Sequence, residues 1–278
     1  MASYDEVNAA CEYLRKKISI KPQVGLICGS GLGKLGDGVL NPIVIPYEEI
    51  PNFPKCSVEG HFGNLIFGVI GNKYVMLMQG RLHGYEGYTQ QQITLPIRVM
   101  KLMGCEYLIV TNATGTVHLN YNVGDLMVVK DHISIPALAG FNPLCGPNDE
   151  RFGPRFPALS DVYTKELRRL AFKVADQMGI MDIMHEGVYI CMSGPTYNTP
   201  AEDRALRLLG ADVVGMSLTA ETIVAHHCGM KVLAISLITD RCTFERGGHH
   251  SNHEEVLRAS LQSSEIITML VTQILEKL

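Results

Sequence analysis

The chain has little that would tie it to a charged polymer, a membrane or an oxidising compartment. Its 278 residues carry 24 Lys and Arg against 28 Asp and Glu, a formal charge of -4. It therefore lacks the clustered positive charge on which affinity for a nucleic-acid backbone rests. No uninterrupted apolar stretch approaches the roughly 18 residues of a membrane span. The start, Met1-Ala2-Ser3-Tyr4-Asp5-Glu6, has neither the basic residues nor the apolar segment of a secretory leader. Cys11, Cys28, Cys56, Cys105, Cys145, Cys191, Cys228 and Cys242 are scattered with no Cys-x-x-Cys pair, which favours free cytoplasmic thiols over disulfides. Repeats, low-complexity tracts and linkers are absent too. A cytoplasmic protein without a nucleic-acid or membrane partner is expected.

What is present is enough apolar material, 46% of residues, to bury one large core, since α/β domains of roughly 250 residues are routine. Helix-like spacing of Val7, Ala10, Cys11 and Leu14 predicts a helix over 5–18, and Leu167, Leu170, Ala171 and Val174 predict another over 164–178, stopped at Gly179. Short runs rich in Val, Ile and Leu at 24–28, 65–70, 74–78, 108–110, 126–129, 188–191 and 232–238 read as strands. A long last helix is expected over 253–278, its apolar face formed by Val256, Leu257, Leu261, Ile266, Ile267, Leu270 and Ile274, with Glu254 and Glu255 as an acidic first turn. Such alternation predicts a single α/β domain, 1–278, with a mixed central sheet flanked by helices. The stretch 242–251 is the least regular and is read as a loop beside the site, with His249 and His250 a solvated pair, not metal ligands.

Three strand ends run into small polar residues. In Met78-Gln79-Gly80-Arg81-Leu82-His83-Gly84-Tyr85-Glu86-Gly87-Tyr88, an apolar run gives way to Arg, His, Tyr and Glu interleaved with Gly. Arg81 is suited to phosphate or carboxylate because its planar fork donates paired, charge-assisted hydrogen bonds. A surface turn with solvated charges is the alternative. Val24 to Cys28 is followed by Gly29-Ser30-Gly31-Leu32-Gly33-Lys34, a Gly-rich turn whose backbone N–H groups and Ser30 hydroxyl can cradle phosphate oxygens. It lacks the third Gly of a dinucleotide fingerprint and the Gly-Lys-Ser/Thr of an NTP loop. Tyr107-Leu108-Ile109-Val110 leads to Thr111-Asn112-Ala113-Thr114-Gly115, at the kind of strand end where open α/β sheets bind ligands.

These segments, with Gly60-His61, Ile50-Pro51-Asn52-Phe53-Pro54, Gly146-Pro147-Asn148-Asp149-Glu150-Arg151-Phe152-Gly153, Gly194-Pro195-Thr196-Tyr197-Asn198, Gly215-Met216-Ser217 and Asn252-His253-Glu254-Glu255, resemble the trimeric purine nucleoside phosphorylases over nearly the whole chain. The resemblance implies phosphate-dependent cleavage of a nucleoside to free base and ribose 1-phosphate, with no metal or organic cofactor. Ser30, His61, Arg81, the Ala113 N–H and Ser217 would hold phosphate, with His83 near phosphate and ribose and Glu86 supporting it. Tyr85, Met216 and His253 would hold the ribose, and Phe156 would close it from a neighbouring subunit of a homotrimer. Tyr197, Asn198, Thr114, Thr239 and Asp240 would meet the base, with His83, Asn198 and Asp240 carrying the chemistry.

At two positions the chain departs from the pattern. Members of the resembled family that act on 6-oxopurines carry Glu and Asn where this chain has Asn198 and Asp240. A Glu carboxylate accepts the N1–H of hypoxanthine, whereas adenine N1 is an acceptor and wants the donor that an amide provides. Asp240 can accept from an exocyclic amine. Methylthioadenosine phosphorylases share Thr239-Asp240 but carry a second Asp where this chain has Cys242, which weighs against a 5′-methylthio substrate. Thr114 and Thr116 replace smaller residues, so a reshaped base pocket is expected. Adenosine is expected over inosine, with cytidine binding open. The alternatives are a nucleoside-binding member with weak turnover, methylthioadenosine phosphorylase-like activity, and a hydrolase that uses water.

Overall fold

The structure is a computed structural model that describes residues 3–30, 32–245 and 252–278. The elements in chain order are α1 (Tyr4–Lys17), β1 (Val24–Cys28), β2 (Leu40–Pro46), β3 (Asn64–Ile70), β4 (Lys73–Gln79), α2 (Gln90–Met103), β5 (Tyr107–Thr116), β6 (Leu126–Ser134), the one-turn α3 (Ile135–Leu138), α4 (Lys165–Met178), β7 (Met184–Cys191), α5 (Pro200–Leu208), β8 (Val213–Gly215), α6 (Thr219–His227), β9 (Lys231–Arg241) and α7 (His253–Lys277). The strands form one sheet in the order β2-β3-β4-β1-β5-β8-β7-β6-β9, and β9 also pairs with β5. That extra pairing closes β5, β8, β7, β6 and β9 into a ring. The sheet is mixed: β1 is parallel to β4 and β5, and β5 to β9, whereas β3 runs antiparallel to β4 and β6 to β9.

Local signals account for most boundaries. Ser3 caps α1 by accepting the Glu6 N–H, and Glu6 returns the bond to the Ser3 N–H, a reciprocal arrangement that satisfies two otherwise orphaned donors. Thr164 precedes α4, and Gly179 at φ 70° ends it. All five residues of β1 are buried, so its uninterrupted apolar run is that of a strand covered on both faces. One apolar layer gathers Val7, Leu14, Val99 and Val224 from α1, α2 and α6. The other gathers Ala171, Val174, Leu270 and Ile274 from α4 and α7.

Several elements run further than their apolar residues suggest. β5 continues through Thr116 because Thr111 donates to the Ile27 carbonyl at 3.0 Å, Thr114 to that of Leu237 at 3.1 Å and Thr116 to that of Asp212 at 3.0 Å. Polar side chains that satisfy neighbouring backbone cost a buried strand little. α2 carries a capping box at Thr89 and Gln92, but Pro96 lies inside it, which hides the helix from a reading that treats proline as a breaker. α7 follows its expected span, yet Leu261 is 51% exposed while Ser260 and Ser264 are fully buried. The inward face runs through 256, 260, 264, 267, 271 and 274, and hydroxyl positions complete it. Of the expected 242–251 loop, residues 246–251, with His249 and His250, lie outside the described residues.

Candidate active site

The carboxyl ends of β1, β4, β8 and β9 and the last turns of β5 converge on one cavity of about 360 Å3. Ser30, Arg81, His83, Tyr85, Ala113, Thr114, Tyr197, Asn198, Met216, Ser217, Thr239, Asp240 and His253 all line it. His61 and Phe156 do not. Phe156 stands 87% exposed on the chain between α3 and α4, away from its own cavity. Gly29 lets β1 end close against β5, since a Cβ there would lie 2.8 Å from Asn112 Cα. Gly80 takes φ 111°, with His61 Cβ only 2.9 Å from where its Cβ would be.

Arg81 anchors one end of the cavity. Its guanidinium is 1% exposed; Nη1 donates to Ser217 Oγ at 2.9 Å, and Nε lies 3.1 Å from Glu221 Oε1. The solvated turn is therefore excluded. Nε and Nη2 make no aligned hydrogen bond among the described residues, and Glu221 Oε2 has none either. A buried cation with unspent donors on a cavity wall is arranged for an anion, because unmet buried donors are costly. The partner, Glu221, is held by local strain. Leu218, itself buried, adopts φ 74° and ψ -50°, and the Thr219 N–H donates to the Ser217 carbonyl at 2.9 Å. This tight, positive-φ turn is costly for a residue with a Cβ. It turns Ser217 towards Arg81 and starts α6, placing Glu221 in its first turn. Glu221 was not among the expected site residues; nothing local in the sequence marks it, since it lies 140 positions after Arg81.

Two histidines back this end. Both the Arg81 N–H, at 2.8 Å, and the Arg81 carbonyl, at 3.0 Å, approach His61 Nδ1. The peptide N–H cannot rotate away, so Nδ1 accepts and the ring proton sits on Nε2, which donates to Ser30 Oγ at 2.9 Å. His61 thus acts behind Ser30, not as a wall of the cavity. Burial first, then the neighbouring His83 and Arg81, push its pKa down from 6.5 to about 3, so it stays neutral. His83 donates Nδ1–H to Glu86 Oε1 at 2.9 Å, which leaves Nε2 as the acceptor of a neutral ring, and burial lowers its pKa as well. Burial acts to raise Glu86, but donors from His83 and Ser57 prevail and bring it to about 2. Tyr85 stacks on His83 with centroids 4.6 Å apart.

The other end of the cavity is built from α5, β9 and the residues flanking them. Asn198 Nδ2 donates to Asp203 Oδ1 at 3.1 Å, and Asp203 Oδ2 accepts the Thr243 N–H at 3.1 Å. Asp203 is 3% exposed, and burial raises its pKa against the opposing bonds from Asn198, Thr243 and Cys242. Asp240 Oδ2 and Cys242 Sγ both overhang Gly115, each 3.1 Å from the place a Cβ would take. Asp240 is 7% exposed and accepts from Thr239 at 3.4 Å, whereas Arg241 turns to the Leu119 carbonyl at 2.7 Å. Asp203 was also missed; it brings a carboxylate from α5 to Cys242. Thr114 lines the cavity as expected, but Thr116 does not, because its hydroxyl faces Asp212. His253 begins α7 with Nε2 3.4 Å from the Glu59 carbonyl. Among the described residues, no group of three or more His, Cys, Asp and Glu could hold a metal ion.

Residues 23–276 match the Phosphorylase superfamily. Purine nucleoside phosphorylase of Rattus norvegicus is 44% identical over 277 residues, 99% of this chain and 96% of the relative. That of Saccharomyces cerevisiae is 51% identical over 229 residues, 81% of this chain and 74% of the relative. The crystal structure of Schistosoma mansoni purine nucleoside phosphorylase in complex with adenosine superposes with a TM-score of 0.96 at 47% identity, covering 100% of this chain and 99% of that one. Isoform 2 from the same organism, in complex with cytosine and ribose-1-phosphate, gives 0.96 at 45% identity over 100% and 98% of the two chains. Resemblance in sequence, sheet and site thus agree, and the chain belongs to the purine nucleoside phosphorylases, pentosyltransferases of the phosphorylase superfamily.

Proposed function

We propose that the cavity joins inorganic phosphate to the ribose of a purine nucleoside, releasing the free base and ribose 1-phosphate, and that it favours adenosine over inosine. The observation that carries the first half is Arg81: buried, paired on one side with Glu221 at 3.1 Å and with donors to spare. Phosphate takes those donors together with the Ser30 and Ser217 hydroxyls and the Ala113 N–H. With Nε2–H of His61 spent on Ser30, the Ser30 proton serves the anion. His83 Nε2 accepts a phosphate O–H, and Glu86 stabilises any positive charge the ring acquires.

In the reaction a phosphate oxygen forms the bond to the anomeric carbon as the bond from that carbon to the base nitrogen breaks. The electron pair leaves with the base, which takes a proton or hydrogen bond at N7. Holding phosphate beneath the cationic sugar supplies both effective concentration and electrostatic stabilisation. Tyr85, Met216 and His253 hold the ribose. Tyr197 packs on the base, which meets Thr114, Asn198, Thr239 and Asp240; Asp240 accepts from an exocyclic amine or, protonated, donates at N7. Phosphate is the only co-substrate, with no metal or organic cofactor.

Phe156 makes the case for a homotrimer. An 87% exposed phenyl ring beside Arg155 is explained by a neighbour whose ribose site it closes, and closed rings with heterologous contacts share residues in this way. We take 1–278 as one phosphorylase domain that works in nucleoside salvage in the cytoplasm, without nucleic-acid or membrane partners. No described helix is long and apolar enough to cross a membrane. A second reading, cytidine, is favoured by the cytosine complex of the isoform 2 relative, because cytosine shares adenine's ring acceptor beside an amine. The deciding experiment is base release from adenosine, inosine, cytidine and methylthioadenosine with and without phosphate. Phosphate-dependent release with adenosine fastest is expected; release without phosphate indicates a hydrolase, tight binding without release a nucleoside-binding protein, and inosine fastest removes the base assignment.

A further inference from the structure

A carboxamide is nearly symmetric in shape. It offers N–H on one side and C=O on the other, and a rotation of 180° about its last torsion exchanges them at almost no steric cost. Asn198 alone therefore cannot tell adenine from hypoxanthine: its N–H suits adenine N1, but flipped, its carbonyl accepts the N1–H of hypoxanthine equally well. Selection requires something that forbids the flip.

We propose that Asp203 is the positioning residue that makes Asn198 selective, by holding its amide with Nδ2 turned towards the Asp203 carboxylate. An ionised carboxylate only accepts, so it fixes the 3.1 Å contact to Asn198 as a donation from Nδ2. Flipping would press the Asn198 carbonyl against Oδ1, two acceptors in contact at a residue 3% exposed. Asp203 cannot swing away to relieve this. Its other oxygen holds the Thr243 N–H at 3.1 Å, and it sits in the first turn of α5, clamped by the capping box between Thr199 and Glu202. The amide is left with one N–H and its carbonyl for a base. This inference rests on the reading that Asn198 meets the base, and it adds that the donor needed by adenine-type bases is enforced from α5 and not chosen by the ligand.

The test is kcat/KM for adenosine and for inosine, at saturating phosphate, in wild type, Asp203→Asn, Asn198→Ala and the double variant. Asn at 203 keeps the shape but can pair with either face of Asn198, so the adenosine-to-inosine ratio should shift towards inosine by roughly 10- to 100-fold, the scale set by one unpaired buried polar group. In the Asn198→Ala background the same change at 203 should leave the ratio unmoved, which a merely structural role for Asp203 would not produce. Asp203→Ser, also without a carboxylate, provides the same comparison if the isosteric variant folds poorly. An unchanged ratio in the single variants, or an equal shift in both backgrounds, overturns the proposal. The wild-type ratio separately tests the base preference: wild type favouring inosine removes that reading, while control of the ratio by Asp203 is decided by the variants alone.

Discussion

The two ends of the cavity solve different electrostatic problems. At the end proposed for phosphate, one carboxylate among the described residues, Glu221, meets the Arg81 guanidinium, and each supporting group has one role fixed by a bond behind it: His61 by the Arg81 N–H, His83 by Glu86, Ser217 by Arg81. At the end proposed for the base the polar groups are bonded chiefly to one another, Asn198 to Asp203 and Asp203 to Thr243. The first arrangement leaves donors over for an anion; the second leaves a pattern of donor and acceptor for a ring. An anion site therefore needs surplus charge of one sign, whereas a base site needs orientation.

Breaking the phosphate end should have the largest effect. Arg81→Ala alone also strands Glu221, and breaking a buried ion pair from one side typically costs about 3–5 kcal/mol. Arg81→Met with Glu221→Gln removes both charges, should melt closer to wild type, and should still lower kcat/KM for phosphate by roughly 10²–10³-fold, the usual loss for a charge-stabilising donor. Phosphate saturation curves beside thermal melts check this; unchanged phosphate kinetics would remove the cradle.

At the base end, Asn198→Glu with Asp240→Asn should turn preference towards inosine by roughly 10²-fold, below the 10⁴-fold that hydrogen-bonding pockets can reach. Glu at 198 faces the Asp203 carboxylate, so adding Asp203→Asn should improve inosine turnover further. A triple variant no better than the double would show that Asp203 does not limit the exchange.

Phe156→Ala should leave phosphate KM unchanged and raise nucleoside KM by roughly tenfold, as loss of one buried aromatic contact does at a shared interface. Sedimentation should still show a trimer, and a fully active monomer would refute the shared site.

The smallest effect is on stability against pH. The folded pKa of His61, about 3, lies below its ordinary 6.5, so between those values the unfolded chain binds more protons and stability falls as pH is lowered from 6.5. Glu86, brought from 4.5 to about 2, adds its loss only below 4.5. Between pH 6.5 and 4.5, His61→Gln should therefore flatten the decline in urea midpoint, with His83, His132 and His227, which burial also pushes down, sustaining part of the slope. Equal slopes in the two proteins would place the ring elsewhere.

How much of this was legible beforehand follows from the range of each interaction. The strands at 24–28 and 74–78 and the helices at 5–18 and 164–178 are written in local periodicity and caps, and the residues at the strand ends could be read as a candidate site because Gly, Ser and Arg together offer backbone and side-chain donors to an anion. β2, β8, α2, α3, α5 and α6 were not recovered. β2 is largely exposed, β8 is three residues long, and Pro96 interrupts the pattern of α2. Thr111, Thr114 and Thr116 ended β5 too early in the reading because their hydroxyl partners lie on other strands.

The sequence by itself determined which chemistry was available: an Arg81 after a strand, histidines and hydroxyls around it, and the amide of Asn198 and the carboxylate of Asp240. Tertiary structure alone decided how those groups are used. It put Glu221 against Arg81, set His61 behind Ser30, and turned Asp203 onto the Asn198 amide. The reason is that charge and hydrogen-bonding capacity belong to a side chain, whereas the direction in which a donor points is set by a partner that the chain reaches only after the sheet has closed.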